Sequence, residues 1–165
     1  MTVLVAGLGN IFSSDDGFGV AVVDQLSRRS LPADVEVRDF GIRGIHLAYQ
    51  LLEPYDLVVL VDAVQRGGPP GTVYMIEAEP GDEPGEDVAM DAHDLGPDAV
   101  LSLVPRLGGT VGPVVVVGCE PAGIDPGIGL SPAVEDAVGT AVQMVIDLVT
   151  GQVAGPPVGV TEGES

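Results

Sequence analysis

The 165-residue chain contains no lysine, no tryptophan and only one cysteine. The missing lysine excludes a phosphate-binding loop of the Gly-Lys-Ser/Thr type. The single cysteine, Cys119, excludes an internal disulfide. Neither a run of about 20 apolar residues, as a membrane helix needs, nor the basic start and apolar stretch of a signal peptide is present. We therefore expect a protein of the reducing cytoplasm that does not bind membranes.

Positive charge is scarce, since 6 arginines stand against 25 acidic residues, for a formal net charge of -19. Such a charge repels nucleic acid and anionic lipid surfaces. Cationic ligands and basic protein surfaces remain as the partners to expect. A solubility trait of the host explains the same acidity equally well.

Length and composition predict one domain. Hydrophobic residues make up 45% of the chain and aromatic residues only 4%, so the core must rest on aliphatic side chains. We expect this domain to cover residues 1–151. Residues 152–165 combine glycine, proline and acids with little apolar surface, which predicts a disordered tail.

Apolar periodicity gives the order strand, helix, strand, helix, strand, strand, helix, strand, helix. This order predicts an α/β fold: a three-layer α/β/α sandwich with a largely parallel, twisted sheet of about five strands. The first helix is expected over residues 16–29. The second is expected to bury Ile45, Ala48 and Leu52, and the third to be capped by Asp94.

The most informative stretch, residues 7–19, reads Gly-Leu-Gly-Asn-Ile-Phe-Ser-Ser-Asp-Asp-Gly-Phe-Gly. It joins an apolar strand to an apolar helix, and open α/β sheets place their binding sites at such junctions. A dinucleotide fingerprint is disfavoured because Phe12 occupies the place of its third small residue. The turn presents Asp15 and Asp16 instead, and either acid alone is also a good helix N-cap.

Two further polar residues are expected at the same rim of the sheet. Asp62 directly follows five aliphatic residues of a buried strand, and His93 precedes the third helix. Two carboxylates and an imidazole suit a divalent transition metal such as nickel or zinc. Taken one by one, Asp16 and Asp62 are equally consistent with capping or turn roles, and spacing alone does not prove a metal site.

The other reactive side chains are predicted to have no catalytic role. His46 falls on the polar stripe of its helix, so we expect it at the surface, and Cys119 follows a buried strand, so we expect it in the core. With His46 at the surface, a serine nucleophile at Ser13 or Ser14 is disfavoured. The acidic segment 79–91 is expected to be a solvated loop.

The chain resembles the hydrogenase maturation endopeptidases over residues 3–149. The resemblance rests on the Gly-Leu-Gly-Asn-Ile-x-x-x-Asp-Asp-Gly-x-Gly motif, on Val-Asp-Ala at Asp62, on His93, and on the Gly118-x-x-Pro121 and Gly-Leu-Ser-Pro-x-Val segments. It implies that Asp16, Asp62 and His93 bind a metal and form the catalytic site. The family has either glutamate or aspartate at the first of these positions. Its Asp-Gly stretch has Phe40 after Asp39 here, so a role for Asp39 stays open.

The resemblance also implies a substrate and a reaction. The expected activity is removal of the C-terminal extension from the precursor of a nickel-iron hydrogenase large subunit after nickel insertion. The nickel would be supplied by the substrate, water would be the nucleophile, no organic cofactor is expected, and the enzyme is expected to act as a monomer. A nickel-sensing chaperone that binds the precursor without cutting it, and a general metallopeptidase, are the alternatives.

Overall fold

The computed structural model describes residues 2–78 and 96–151. Within these ranges the chain forms five strands and four helices in the predicted order. The strands are β1 (Val3–Leu8), β2 (Val35–Gly41), β3 (Leu57–Ala63), β4 (Val73–Ala78) and β5 (Val114–Cys119). The helices are α1 (Phe18–Leu26), α2 (Gly44–Gln50), α3 (Pro97–Arg106) and α4 (Pro132–Thr150), and a 3-10 turn, Ser14–Gly17, precedes α1.

The five strands form one sheet in the order β2-β1-β3-β5-β4. Strands β2, β1, β3 and β5 pair in parallel, and β4 pairs antiparallel with β5 at one edge. Because β1 and β3 are neighbours, the residues that follow them come out side by side at the carboxyl end of the sheet. That end is where open α/β sheets place ligands.

Helices cover both faces of the sheet. Alternate residues of β1 point in opposite directions, so Val3 and Val5 join one buried cluster while Leu4 and Ala6 join the other. The first cluster includes the apolar faces of α1 and α4, and the second includes those of α2 and α3. The predicted three-layer sandwich with a largely parallel sheet is therefore confirmed.

Helix α1 approaches the sheet very closely at Gly19. A Cβ atom there would overlap the backbone oxygens of Leu8 and Val61, one on β1 and one on β3. Phe18, Val22 and Leu26 are fully buried against the sheet, as the apolar spacing predicts.

Three helix predictions were wrong in detail. The first helix is shorter than residues 16–29 at both ends, because residues 14–17 form the 3-10 turn and the helix ends at Leu26. In α2 the buried residues are Gly44, Leu47 and Ala48, while Ile45 and Leu52 are exposed. Since α2 is only seven residues long, a shift of one position in its buried stripe is enough to turn these two side chains outward.

The N-cap of α3 was also misplaced. The helix begins at Pro97 with Gly96 as its N-cap, whereas Asp94 lies outside the described residues. Proline at the first helical position is favourable because its missing N–H has no partner there in any case. Among the residues that the structure describes, no helix is long and apolar enough to cross a membrane.

Candidate active site

Asp16 and Asp62 lie at the carboxyl ends of the two central strands. Asp16 belongs to the 3-10 turn that follows β1, and Asp62 is the penultimate residue of β3, paired with Gly118 of β5. The pairing of β1 with β3 brings these two acids together although 46 positions separate them in the sequence. They are close enough for the charge of Asp16 to act on Asp62.

Gly9 makes this approach possible. Its φ of +135° is a conformation that side-chain-bearing residues rarely adopt. A Cβ atom at this position would overlap the carbonyl oxygen of Asp16 and lie 3.5 Å from Oδ1 of Asp62. The N–H of Gly9 donates to the carbonyl oxygen of Gly41 at 2.9 Å, which ties the turn to the end of β2. The backbone at Gly9 therefore packs against both the main chain of Asp16 and the carboxylate of Asp62.

Asp62 is a buried acid that resists ionisation. Its side chain is only 6% exposed, and its Oδ1 accepts a hydrogen bond of 2.8 Å from the N–H of Ala63. Burial, and then the negative charge of Asp16, raise the pKa of Asp62 well above its ordinary value, against the smaller effect of the Ala63 hydrogen bond. A cation placed between the two carboxylates would relieve both costs.

Asp16 is half-buried and oriented by the turn itself. Its Oδ2 accepts a hydrogen bond of 2.9 Å from the N–H of Asn10, and the Asn10 side chain accepts one of 2.9 Å from Phe12. The prediction that one of the two acids caps the helix was wrong. The N-cap positions are Ser13 for the 3-10 turn and Gly17 for α1, and neither makes a side-chain capping bond.

Asp15 has a different role from its neighbour. It is 1% exposed, and its carboxylate accepts hydrogen bonds from the N–H groups of Ala122 at 2.7 Å, Gly123 at 3.2 Å and Ser131 at 2.7 Å. The hydroxyl of Ser131 donates a fourth, at 2.9 Å. Burial acts to raise the pKa of Asp15, but these hydrogen bonds outweigh it and hold the pKa below its ordinary value. Asp15 thus fastens the turn to the loop that leads into α4.

Glu120, at the end of β5, is a buried carboxylate that sequence reasoning missed. It accepts hydrogen bonds from the hydroxyl of Tyr74 at 2.7 Å and from the N–H groups of Arg66 and Gly68 at 2.9 and 3.2 Å. Burial acts to raise the pKa of Glu120, and these bonds outweigh it and lower the pKa. The one available signal was its position directly after the buried strand β5.

His93 lies outside the described residues, as do the acidic segment 79–91 and the predicted tail 152–165. Within residues 2–78 and 96–151 there is no group of three or more histidine, cysteine, aspartate or glutamate side chains able to hold a metal ion. Gly96, the first described residue after position 78, lies beside Asp62, since a Cβ atom at Gly96 would be 4.0 Å from Oδ2 of Asp62.

Three further residues considered as site candidates are His46, Cys119 and Asp39. His46 is exposed on α2 and Cys119 is fully buried, so both predictions are confirmed. Burial raises the pKa of the Cys119 thiol to about 12, helped by the charges of Asp15 and Glu120, and this disfavours a thiolate nucleophile. Asp39 is exposed on β2, in register with Gly7.

The sheet is open and mostly parallel, and two acids lie side by side at the carboxyl ends of neighbouring strands. The class is therefore an α/β protein with an acid-lined site at the edge of the sheet where the parallel strands end. The family model described as hydrogenase maturation protease (HycI) matches residues 20–148. The chain belongs to the hydrogenase maturation protease family, and it is accordingly a hydrolase that cleaves peptide bonds.

Individual relatives agree with this assignment. The chain is 32% identical over 152 residues to the hydrogenase 2 maturation protease of Escherichia coli, covering 88% of this chain and 89% of that protein. It is 31% identical to the hydrogenase expression/formation protein HupD of Thiocapsa roseopersicina, where the match covers 88% of this chain and 66% of the relative.

Solved structures give the same result. The hydrogenase maturating endopeptidase HybD of E. coli superposes with a TM-score of 0.74 at 30% identity, covering 92% of this chain and 94% of HybD. A hydrogenase 2 maturation peptidase from a Thaumarchaeota archaeon gives a TM-score of 0.69 at 37% identity, covering 91% and 99% of the two chains. The family resemblance identified from the motifs is confirmed.

Proposed function

We propose that this enzyme removes the C-terminal extension of a nickel-iron hydrogenase large-subunit precursor once nickel has been inserted. Asp16, Asp62 and His93 bind the nickel that the substrate carries, which places the adjacent peptide bond at the site. The observation that supports this most directly is the pair of acids at the ends of β1 and β3, close enough for the charge of Asp16 to act on Asp62, which is buried and has a raised pKa. Two acids forced together at a sheet rim form a site for a cation.

The position of His93 in the sequence is compatible with this role. Gly96 lies against Asp62, and three residues of chain span at most about 11 Å. This short spacing in the sequence is compatible with a metal trio that includes His93. One imidazole nitrogen and two carboxylate oxygens complete a donor set that suits nickel.

The residues of the chain have separable tasks in this proposal. The Asn10 N–H fixes the direction of the Asp16 carboxylate before the substrate arrives. A bound cation would favour the ionised carboxylate of Asp62, against the burial and the Asp16 charge that raise its pKa. The bound nickel supplies polarisation of the scissile carbonyl or of a water molecule, which is the nucleophile. Holding metal and peptide bond together supplies the orientation that cleavage requires.

The proposal also includes the cellular compartment and the oligomeric state of the enzyme. We infer that the enzyme works in the cytoplasm as a monomer. Its partner is the precursor protein, and it needs no organic cofactor of its own. The reduced, buried Cys119 is compatible with a reducing compartment.

Mass spectrometry of the large subunit tests the proposal. Nickel-loaded precursor is incubated with the wild-type enzyme and with the variants Asp62→Asn and His93→Ala. We expect the wild type to shorten the precursor by one defined C-terminal fragment and both variants to leave its mass unchanged. His46→Ala is the matched control, since it removes the other histidine of the chain from an exposed position, and it should cut normally.

Other outcomes favour other functions. Tight binding of the precursor by the wild type without any loss of mass would support the non-cleaving chaperone. Cleavage of unrelated peptides, together with metal that copurifies with the free enzyme, would support a general metallopeptidase. Full activity of His93→Ala would contradict the proposed metal trio.

A further inference from the structure

Exposed apolar side chains flank the site. Eight large hydrophobic residues are exposed among those that the structure describes, and they fall into two groups of four. The first group, which we call the rim patch, consists of Ile11, Phe12, Ile124 and Ile128, exposed by 47, 61, 44 and 80%. The second lies on and around α2: Ile42, Ile45, Tyr49 and Leu52. Contiguous exposed apolar groups of this kind mark interaction sites.

Backbone hydrogen bonds hold the two loops of the rim patch together. Ser13 and Gly127 form an isolated parallel β-bridge. The Ser14 N–H donates to the Gly127 carbonyl and the Gly127 N–H donates to the Phe12 carbonyl, each at 2.9 Å. The Asp15 N–H donates to the Gly123 carbonyl at 3.1 Å. The patch is therefore a preformed surface, which lowers the entropy cost of binding.

The rim patch adjoins the acid pair. Asn10, whose N–H donates to Asp16, is followed directly by Ile11. On the other side of Asp16, a Cβ atom at Gly17 would lie 3.2 Å from the Cα of Ile11. A peptide whose cleaved bond lies at Asp16 is therefore able to reach the rim patch within a few residues of that bond, given about 3.3 Å per extended residue.

The two loops that carry the rim patch contain acidic residues and no basic ones. Positions 9–17 and 120–131, which carry the patch, contain Asp15, Asp16, Glu120 and Asp125 and no lysine, arginine or histidine. Asp125 is exposed between Ile124 and Ile128, with its backbone oxygen held by the hydroxyl of Ser14 at 2.7 Å. The complementary ligand combines apolar side chains with a positive charge.

We propose that the rim patch binds the segment of the precursor next to the scissile bond, and that this segment is extended, apolar and carries lysine or arginine. The inference rests on the proposed function and adds to it a surface for substrate specificity. Phe12 and Ile128, the most exposed members, are the anchors, because burial of large apolar side chains dominates binding energy at such surfaces. The α2 group is not assigned to this segment.

The double variant Phe12→Gln/Ile128→Gln tests the patch. The probe is nickel-loaded large-subunit precursor, with cleavage followed by mass spectrometry and binding to immobilised precursor measured separately. We expect KM and Kd to rise about tenfold or more, with kcat within about twofold of the wild type, because the change removes apolar contacts and leaves the acids in place. Tyr49→Gln/Leu52→Gln, the matched control on α2, should leave KM and Kd within about twofold of the wild type.

The substrate side supplies a double-mutant cycle. Replacing the apolar residues beside the scissile bond with serine should weaken binding to the wild type but add little to the loss already caused by the double variant. Asp125→Asn should weaken binding at low salt and reduce its salt dependence. Unchanged melting temperatures would verify that the exposed substitutions leave the fold intact.

The possible results separate the two proposals. If the wild type cuts and binds, and the double variant does both with unchanged KM and Kd, the rim patch assignment is wrong although the protease assignment stands. If the wild type binds without cutting, cleavage fails as the function while the Kd values still decide the patch. A dimer in sedimentation experiments that the double variant abolishes would instead make the patch a contact between copies of the chain, and would overturn the proposal.

Discussion

The substitution Asp15→Ala tests the assignment of Asp15 as the anchor of the N-terminal turn. It deletes the acceptor of four hydrogen bonds, three from the backbone N–H groups of Ala122, Gly123 and Ser131 and one from the Ser131 hydroxyl. Each buried donor left without an acceptor costs about 1–3 kcal/mol. Because the donors belong to a loop that water can reach once the carboxylate is gone, the lower figure applies.

Four donors at about 1 kcal/mol each give an expected loss of about 4 kcal/mol in the free energy of unfolding. In a protein of this size each kcal/mol shifts the melting temperature by about 2–4 °C, so Tm should fall by about 10 °C. Urea denaturation followed by circular dichroism measures the loss. Processing activity should fall as well, because Asp16 is the next residue in the same turn.

Asp24→Ala is the matched control. Asp24 is an exposed aspartate paired with Arg28 across one helical turn, with side chains 58 and 72% exposed, and such pairs contribute less than about 1 kcal/mol. If Asp15→Ala costs no more than Asp24→Ala, the four hydrogen bonds do not fasten the turn and the reasoning fails.

The effect of Asp15 has a defined pH dependence. Its pKa in the folded protein lies below the ordinary value of 3.8, so its contribution to stability is fully present above that value. The contribution is lost as the pH falls through the folded-state pKa. The difference in stability between the wild type and Asp15→Ala should therefore shrink only in acid below pH 3.8. A difference that disappears already near neutral pH would assign it to another group.

Three other predictions follow from burial and close packing. Because the pKa of Asp62 is raised in the folded protein, its carboxyl destabilises the fold at pH values above its ordinary pKa of 3.8. Asp62→Asn should therefore raise the free energy of unfolding at neutral pH, and this gain should disappear below pH 3.8. Destabilisation by Asp62→Asn at neutral pH would contradict this. Gly19→Ala would place a Cβ atom 2.2 Å from the backbone oxygen of Val61 and should lower the free energy of unfolding, measured in urea, by about 2–3 kcal/mol. Gly139→Ala, in open space on α4, should raise it by about 0.5–1 kcal/mol. Equal effects of the two substitutions would refute the packing argument. Cys119, buried and with a pKa of about 12, should react with a thiol reagent only on unfolding, and rapid labelling of the native protein would show that the thiol is accessible.

The architecture was predictable because it follows from strong local patterns. Uninterrupted aliphatic runs such as residues 57–61 and 114–117 identify strands covered on both faces, and the order of elements leaves few arrangements. Ser131 followed by Pro132 is a pattern typical of a helix N-terminus, and α4 has Ser131 as its N-cap and Pro132 as its first residue. The hydroxyl of Ser131, however, donates to Asp15 rather than to its own helix. That contact is set by tertiary packing, which propensities do not encode.

The site was predictable only in part. The five aliphatic residues before Asp62 were a usable signal, although the structure places Asp62 inside β3, and the topology brings it beside Asp16. Asp15 and Asp16 have the same residue type in consecutive positions, so sequence alone cannot assign the anchor to one and the open rim to the other. The division depends on the direction in which a 3-10 turn aims each side chain, and Gly9 adds a backbone conformation that periodicity does not reveal.

The hydrogen bonds of Asp15 also affect when the enzyme becomes competent during synthesis. Their donors lie 107, 108 and 116 positions further along the chain, so the ribosome makes the acid long before its partners. Until the loop before α4 has emerged, this carboxylate stays hydrated and the turn that carries Asp16 lacks its tether. A growing polypeptide therefore fastens this turn only after residues 122–131 have left the ribosome.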